Sequence, residues 1–388
     1  MSERLNMPLH FHQDEFSARI AKAQSALDHA KLDAILLFAP ESQYWLTGYD
    51  TFGFAMFQCM ILSADGGIDL LTRAPDLRQA KHTSILAEDR IHIWTEVEGA
   101  RPAESLAKLL ASRGLAGKRI GWETQTAGLT MWNGEMVKEV IPDLIEASDV
   151  IRKCRRVKSP AEIEMHRRAA TLSDDALDAA IETTQAGAFE GDILSAMQGA
   201  VFEGGGDYAG NEFIVGSGEG ALLCRYYSGR RHLDTQDQLT LEWSGAYARY
   251  HAAMMRTIII GQPSEKQNQM HEATVAALEA CEAAIRPGAP MGDVFTAHAK
   301  VFDAHGFNHA RLQACGYGMG AVYNPIWVDF PMFYEGNPEI MQAGQVFFLH
   351  MILMDSEAGL AMCLGHSVLV TDDGVERLSR SPLDMICL

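Results

Sequence analysis

The sequence predicts an α+β protein of two domains, a small open α/β domain followed by a larger one of long helices and long strands. Three observations carry that expectation. The first part alternates helical and strand periodicities, the later part holds long apolar strands beside helical pairs, and a sharp helix start stands between them near residues 150–160. A chain of 388 residues with 47% apolar and 21% charged side chains has the material for two cores.

In the first part, residues 14–31 put Phe16, Ile20, Ala23 and Leu27 on one helical stripe. Residues 34–38 form a continuous apolar run, as a strand buried on both faces would. A polar loop with a proline follows. Further strands are expected at 57–62, 68–71 and 119–122, with a helix at 102–113 before the last. The basic stretch 152–158 reads as a solvated linker in an acidic chain. Ser159-Pro160-Ala161-Glu162 then combines a capping serine, a proline suited to the first helical position and a glutamate that closes a capping box. The expected domains are 1–152 and 153–388. In the second, helices are expected to about residue 184 and at 193–202, 267–284 and 292–305. Strands are expected at 212–215, across 239–260, and at 346–353 and 361–370.

The formal net charge of −19 repels phosphate backbones and anionic lipid headgroups, so no nucleic-acid or membrane partner is expected. Seven cysteines without a C-x-x-C pair argue against a disulfide framework or structural zinc and suit a reducing compartment. Residues 1–13 are polar, without the apolar core of a signal peptide, and no apolar run approaches the ~20 residues of a membrane span. A cytoplasmic enzyme acting on a small molecule is the expectation. Glycine-rich stretches at 204–206 and 216–220 lack the context of a phosphate-binding loop, and no G-x-S-x-G elbow occurs.

Five segments in order resemble the creatinase and aminopeptidase P family, which includes the Xaa-Pro peptidases: 156–163, 245–257, 316–320, 343–348 and 368–374. The resemblance implies a creatinase-like N-terminal domain and a pita-bread catalytic domain, commonly as a homodimer. Metal-dependent members hold two divalent ions with two Asp, one His and two Glu, a hard donor set suited to activating water. At the matching positions this sequence has Glu242, Ala253, Tyr317, His350 and Gly365. The resemblance therefore points to no metal and no cofactor, and to the metal-free branch with creatinase and ectoine hydrolase. Residues 241–257, with Glu242, the Arg249-Tyr250-His251-Ala252 run and Arg256-Thr257, are most similar to ectoine hydrolase, as is the 46–50 segment. In that enzyme the matching glutamate is the nucleophile. Two departures stand out: Arg225 replaces a histidine seventeen residues before Glu242, and Gly365 replaces a glutamate.

The implied reaction is metal-independent hydrolysis of a C–N bond in a small carboxylated compound, such as an ectoine-like cyclic amidine or a creatine-like guanidino acid. Alternatives are a divergent Xaa-Pro metallopeptidase with a reduced metal site, and a non-catalytic binding protein. Glu242, a carboxyl in an apolar strand, is the expected nucleophile or base, or else a buried acid paired with Arg256. His350 is an expected proton carrier, or else a core histidine bonded to a backbone carbonyl. Tyr317, between glycines, is an expected donor to developing negative charge, or a packing residue. Arg225 would clamp a substrate carboxylate or form a surface salt bridge. His251 shares the strand parity of Ala253 and would face the same cavity, unless exposed. His366 and Arg256 complete the expected binding set of the second domain. Tyr49 lies in the 46–50 segment, and Phe52 and Phe54 on the loop after it; in the family that loop reaches toward the substrate, often the neighbouring subunit's, so these residues would bind substrate as an aromatic lid in trans or pack locally.

Overall fold

The computed structural model describes residues 9–225 and 229–388; the reading of residues 1–8 and the tyrosines at 226 and 227 lie outside the described residues. The chain divides into two compact units, Met1–Arg155 and Arg156–Leu388.

The first unit runs α1 (Gln13–His29), β1 (Ala34–Leu37), α2 (Pro40–Thr47), β2 (Cys59–Ser63), β3 (Ile68–Arg73), α3 (Leu77–Thr83), β4 (Ile91–Trp94), α4 (Pro102–Ser112), β5 (Ile120–Trp122), α5 (Met131–Val140), β6 (Ile145–Glu146) and α6 (Ser148–Arg156). The strands form one mixed sheet in the order β4-β3-β2-β1-β5-β6. α1 buries Phe16, Ala23 and Leu27 of the expected stripe. β1 is buried at all four positions, which its uninterrupted Ala-Ile-Leu-Leu sequence requires of a central strand.

Two local expectations fail here. The proline-containing loop is the helix α2, with Pro40 in its first turn and a left-handed stop at Gly48. Its N-terminal donors are satisfied from far along the chain: the Glu123 carboxyl accepts from the Ala39 N–H at 2.8 Å and the Ser42 hydroxyl at 2.5 Å. No local pattern could reveal that cap. The basic stretch is the end of helix α6 rather than a linker, because Ile151, Cys154 and Arg155 fall on one buried stripe.

The second unit runs α7 (Pro160–Thr183), α8 (Glu190–Glu203), β7 (Ile214–Ser217), β8 (Asp237–Tyr247), β9 (Tyr250–Ile260), α9 (Glu265–Ala284), α10 (Met291–Ala304), β10 (Ala314–Gly318), β11 (Asp329–Tyr334), β12 (Val346–Asp355), β13 (Leu360–Val370), β14 (Val375–Arg377) and β15 (Ile386–Cys387). α7 opens on the expected capping box, with Ser159 and Glu162 bonded reciprocally. The main path of the sheet is β11-β10-β12-β13-β9-β8-β7, antiparallel throughout. β8 and β9 meet in a two-residue turn at Ala248 and Arg249, both with positive φ, as the right-handed twist of a hairpin favours.

Register decides which side chains share a face. Ile214, Glu242, Met255, Gly365 and His350 lie in one row across β7, β8, β9, β13 and β12. Paired residues point to the same side and chain neighbours to the other. The opposite face is covered by helices: Trp243 Nε1 donates to the Ser173 carbonyl of α7 at 2.9 Å, and His366 meets Glu282 of α9. Among the described residues no helix is long and apolar enough to cross a membrane.

Candidate active site

Glu242, Tyr317, His350 and Arg225 all line one cavity of about 610 Å³ in the second unit, on the face of the sheet that the helices leave open. Glu242 arrives on β8, His350 on β12, Tyr317 on β10, and Arg225 on the segment that precedes β8. Glu242 and His350 belong to the same cross-strand row but stand three strands apart, so their backbones are separated by about 14 Å along the sheet. They face one cavity from different walls, and no hydrogen bond joins them.

The Glu242 carboxyl is 6% exposed and accepts no hydrogen bond or ion pair from any described residue. Burial pushes its pKa up to about 7, and the nearby positive charge of Arg225 partly opposes that rise. Arg225 itself is exposed on the cavity rim. Burial holds His350 neutral, with its pKa lowered to about 4 and Arg225 a lesser cause in the same direction. Among the described residues the buried His350 Nδ1 has no hydrogen-bond partner.

Tyr317 is fixed between two aromatic groups. Its ring lies 5.4 Å from that of Phe348 and 5.7 Å from the His350 ring, centroid to centroid. Its hydroxyl accepts from Trp327 Nε1 at 2.8 Å. Burial first, and the Glu242 charge second, raise the phenol pKa, so it stays protonated. Close approach of β10 to β12 makes this placement possible. A Cβ on Gly316 would stand 2.3 Å from the Phe348 carbonyl oxygen, and only glycine leaves that gap.

Several expected site residues are elsewhere. His251 has the right strand parity but both ring nitrogens are committed: Nε2 accepts from the Gly210 N–H at 2.9 Å and Nδ1 donates to the Arg249 carbonyl at 2.8 Å. It ties the hairpin turn to Gly210, next to the cavity-lining Asn211, and burial lowers its pKa to about 4. Arg256 does not pair with Glu242. It points to the helix-covered face and donates to the carbonyls of Met255 and Gly365 at 2.9 and 2.7 Å. His366 faces the helices too, with Nε2 2.7 Å from Glu282, which Arg377 also engages. In the first unit, Tyr49 is buried and donates to Gln58 at 3.1 Å, so its phenol serves that core. Phe52 is 79% exposed and Phe54 is half-buried on the loop after α2.

Residues that the sequence reading passed over complete the cavity. Trp327 holds Tyr317 through its indole and also receives the Asn211 side chain, whose Oδ1 accepts from the Trp327 backbone N–H at 3.1 Å. Cys224, Ile326, Phe330 and Met332 line the wall. The alternation of Phe330 and Met332 along β11 was the one available signal.

A creatinase/prolidase N-terminal domain matches residues 19–157, and metallopeptidase family M24 matches residues 164–372. The chain belongs to metallopeptidase family M24, a family of hydrolases and peptidases. It is 25% identical to the ectoine hydrolase of Halomonas elongata over 97% of this chain and 98% of that one. It is 20% identical to the Xaa-Pro dipeptidase of Pyrococcus furiosus, covering 95% and 99% of the two chains. The solved prolidase of Thermococcus sibiricus superposes with a TM-score of 0.86 at 20% identity, covering 96% of this chain and 99% of that one, and establishes the two-domain pita-bread fold.

The residues do not fit the pair of divalent ions that the family name implies. Of the five matching positions, Ala253 and Gly365 carry no donor and Tyr317 is a protonated phenol already bonded to Trp327. Among the described residues no group of three or more His, Cys, Asp or Glu is arranged to hold an ion. A side chain at 365 has no room: a Cβ there would lie 2.5 Å from the Leu349 carbonyl oxygen and 3.0 Å from the Phe348 ring.

Proposed function

We propose that this chain is a metal-independent hydrolase that cleaves a C–N bond of a small carboxylated compound. The single observation behind this reading is the buried Glu242 carboxyl, unpartnered among the described residues and opening on a cavity that also presents Tyr317, His350 and Arg225. Among the described residues nothing structural uses that carboxyl, and leaving it buried and unbonded is costly.

With a pKa near 7, Glu242 is matched to proton transfer at neutral pH, better than His350 at about 4. In this reading the Glu242 carboxylate takes a proton from the water that bonds the carbon and returns it to the leaving nitrogen as the C–N bond breaks, or it attacks the carbon itself, the leaving nitrogen taking its proton from water whose hydroxide then cleaves the covalent ester and restores the carboxyl group. The Tyr317 hydroxyl donates to the oxygen or nitrogen on which negative charge develops. Neutral His350 orients the substrate from the opposite wall. Arg225 on the rim pairs with the substrate carboxylate.

The ectoine hydrolase relative supplies the first substrate type to try, and the Xaa-Pro dipeptidase relative the competing one. Turnover is measured on cyclic amidines, guanidino acids and Xaa-Pro dipeptides, with Glu242→Gln as control. Activity that survives Glu242→Gln, or that depends on an added divalent ion, overturns the proposal. A cytoplasmic homodimer in which Phe52 and Phe54 cover the partner's site belongs to the same reading; a monomer by sedimentation that is fully active would remove that part.

A further inference from the structure

Three stretches far apart in sequence converge beside the cavity, and one buried imidazole joins them. They are the tip of the β8–β9 hairpin, residues 207–211 before β7, and residues 320–327 between β10 and β11. His251, fully buried near the start of β9, bonds to all three. Its backbone N–H donates to the Gly320 carbonyl at 3.2 Å. Its Nε2 accepts from the Gly210 N–H at 2.9 Å, so the ring proton is on Nδ1, which donates to the Arg249 carbonyl at 2.8 Å. The Val322 N–H donates to that same Arg249 carbonyl at 3.1 Å. The ring must be neutral here, because a second ring proton would oppose the Gly210 N–H. Burial, which lowers its pKa to about 4, keeps it so.

From Gly210 the contacts run on to the phenol. Gly210 lies flush on the peptide between Ile326 and Trp327: a Cβ there would stand 2.9 Å from the Ile326 carbonyl carbon and from the Trp327 nitrogen. The next residue, Asn211, accepts from the Trp327 backbone N–H at 3.1 Å. The Trp327 indole then donates to the Tyr317 hydroxyl at 2.8 Å. Close-packed contacts of this kind pass a displacement along rather than absorb it. A side chain that only filled space would need no donor on one ring nitrogen and acceptor on the other; leucine would serve.

Resting on the hydrolase reading, we infer that His251 is a positioning residue for Tyr317, setting the direction of the phenol through Gly210, Asn211 and Trp327. It does not line the cavity and touches no substrate. Its effect on the reaction is therefore carried wholly by the Tyr317 hydroxyl.

Fluorine NMR reads Trp327 directly and separately from turnover. The intact chain is labelled with 5-fluorotryptophan, and the Trp327 resonance is the one lost in Trp327→Phe. His251→Asn keeps a donor for the Arg249 carbonyl but no acceptor within reach of Gly210, whereas His251→Gln puts its amide oxygen where Nε2 was. His251→Asn is expected to move the Trp327 resonance in the direction that Tyr317→Phe moves it, and about half as far or further, while His251→Gln leaves it in place. With any C–N substrate the chain turns over, His251→Asn is expected to lower kcat about ten-fold with KM within about two-fold, and to add nothing to the loss in a Tyr317→Phe background. A resonance that His251→Asn leaves unmoved, equal shifts in the two variants, or kcat losses that multiply overturns the inference. Should His251→Asn not fold, Asn211→Leu, which takes the acceptor from the Trp327 backbone N–H, replaces it with the same expected shift and the same overturning result. The expected shifts without turnover of any C–N substrate sink the hydrolase reading and leave the positioning of Tyr317 standing. Turnover with an unmoved resonance does the reverse.

Discussion

Trp327 donates its indole N–H to the Tyr317 hydroxyl at 2.8 Å, and this one bond sets the direction of the phenol's own proton. With one lone pair taken, the O–H is left to donate away from the indole. Both residues line the cavity. Tyr317→Phe is therefore expected to lower kcat on the order of 10²-fold, the effect of removing one oriented donor, with KM changed little. It also leaves the Trp327 N–H buried and unpaired, at a cost of about 1–3 kcal/mol in chemical denaturation. A variant with full kcat would show that the hydroxyl only packs.

Glu242 links activity to stability. Its pKa in the folded chain is about 7, against an ordinary 4.5. The folded state thus holds the proton more tightly than the unfolded one, so stability falls as pH rises from 4.5 through 7 and the full loss is present above 7. The difference corresponds to on the order of 3 kcal/mol. Glu242→Gln is expected to be inactive yet to unfold at higher urea than the parent at pH 8.5, with the gap closing at pH 4.5. Glu123, also raised to about 7 by burial, leaves a residual slope of the same sign in the variant.

The same titration shapes the rate profile. If the carboxylate is the working form, kcat/KM climbs with pH and levels off above about 7. The Arg225 charge lowers that pKa, so Arg225→Ala moves the rising limb to higher pH and raises KM together. A flat profile from pH 5 to 9 would remove Glu242 from proton transfer.

Chelation tests the donor set. Dialysis against EDTA is expected to leave turnover within two-fold of the untreated enzyme, and elemental analysis to find less than one ion per chain. Gly365→Glu, which restores the family's carboxylate, is not expected to recruit metal. It forces atoms into the Leu349 carbonyl and the Phe348 ring and is expected to cost about 2 kcal/mol or more.

His366 offers the contrast between a site residue and a brace. It faces α9 and meets Glu282 at 2.7 Å, on the opposite side of the sheet from the cavity. His366→Ala is expected to destabilise by about 1–3 kcal/mol through the hydrogen bond lost to the buried Glu282, which keeps Arg377, while kcat/KM stays within three-fold and its pH profile keeps its shape. A displaced profile would return His366 to the site.

Much of the architecture was written locally. The capping box at Ser159 and Glu162, the stripe of α1 and the long apolar strands each follow from spacing alone, because helix and strand periods are properties of neighbouring residues. The α2 cap from Glu123 and the helix α6 were not legible, since the partner or buried face that decides them lies elsewhere in the chain. Glu242, His350 and Tyr317 could be singled out as polar groups in apolar or glycine-flanked segments. His251, of correct parity, could not be separated from them by pattern.

The sequence by itself determined the two-part α+β organisation, the loss of donors at positions 253 and 365, and the presence of a carboxyl in a strand with no apparent use for it. Only the tertiary structure decided that Glu242, Tyr317, His350 and Arg225 share a cavity while His251, Arg256 and His366 are spent on backbone or helix partners. The physical reason is that periodicity gives each side chain a face, whereas its neighbours come from register between strands distant in sequence and from what packs on either side of the sheet.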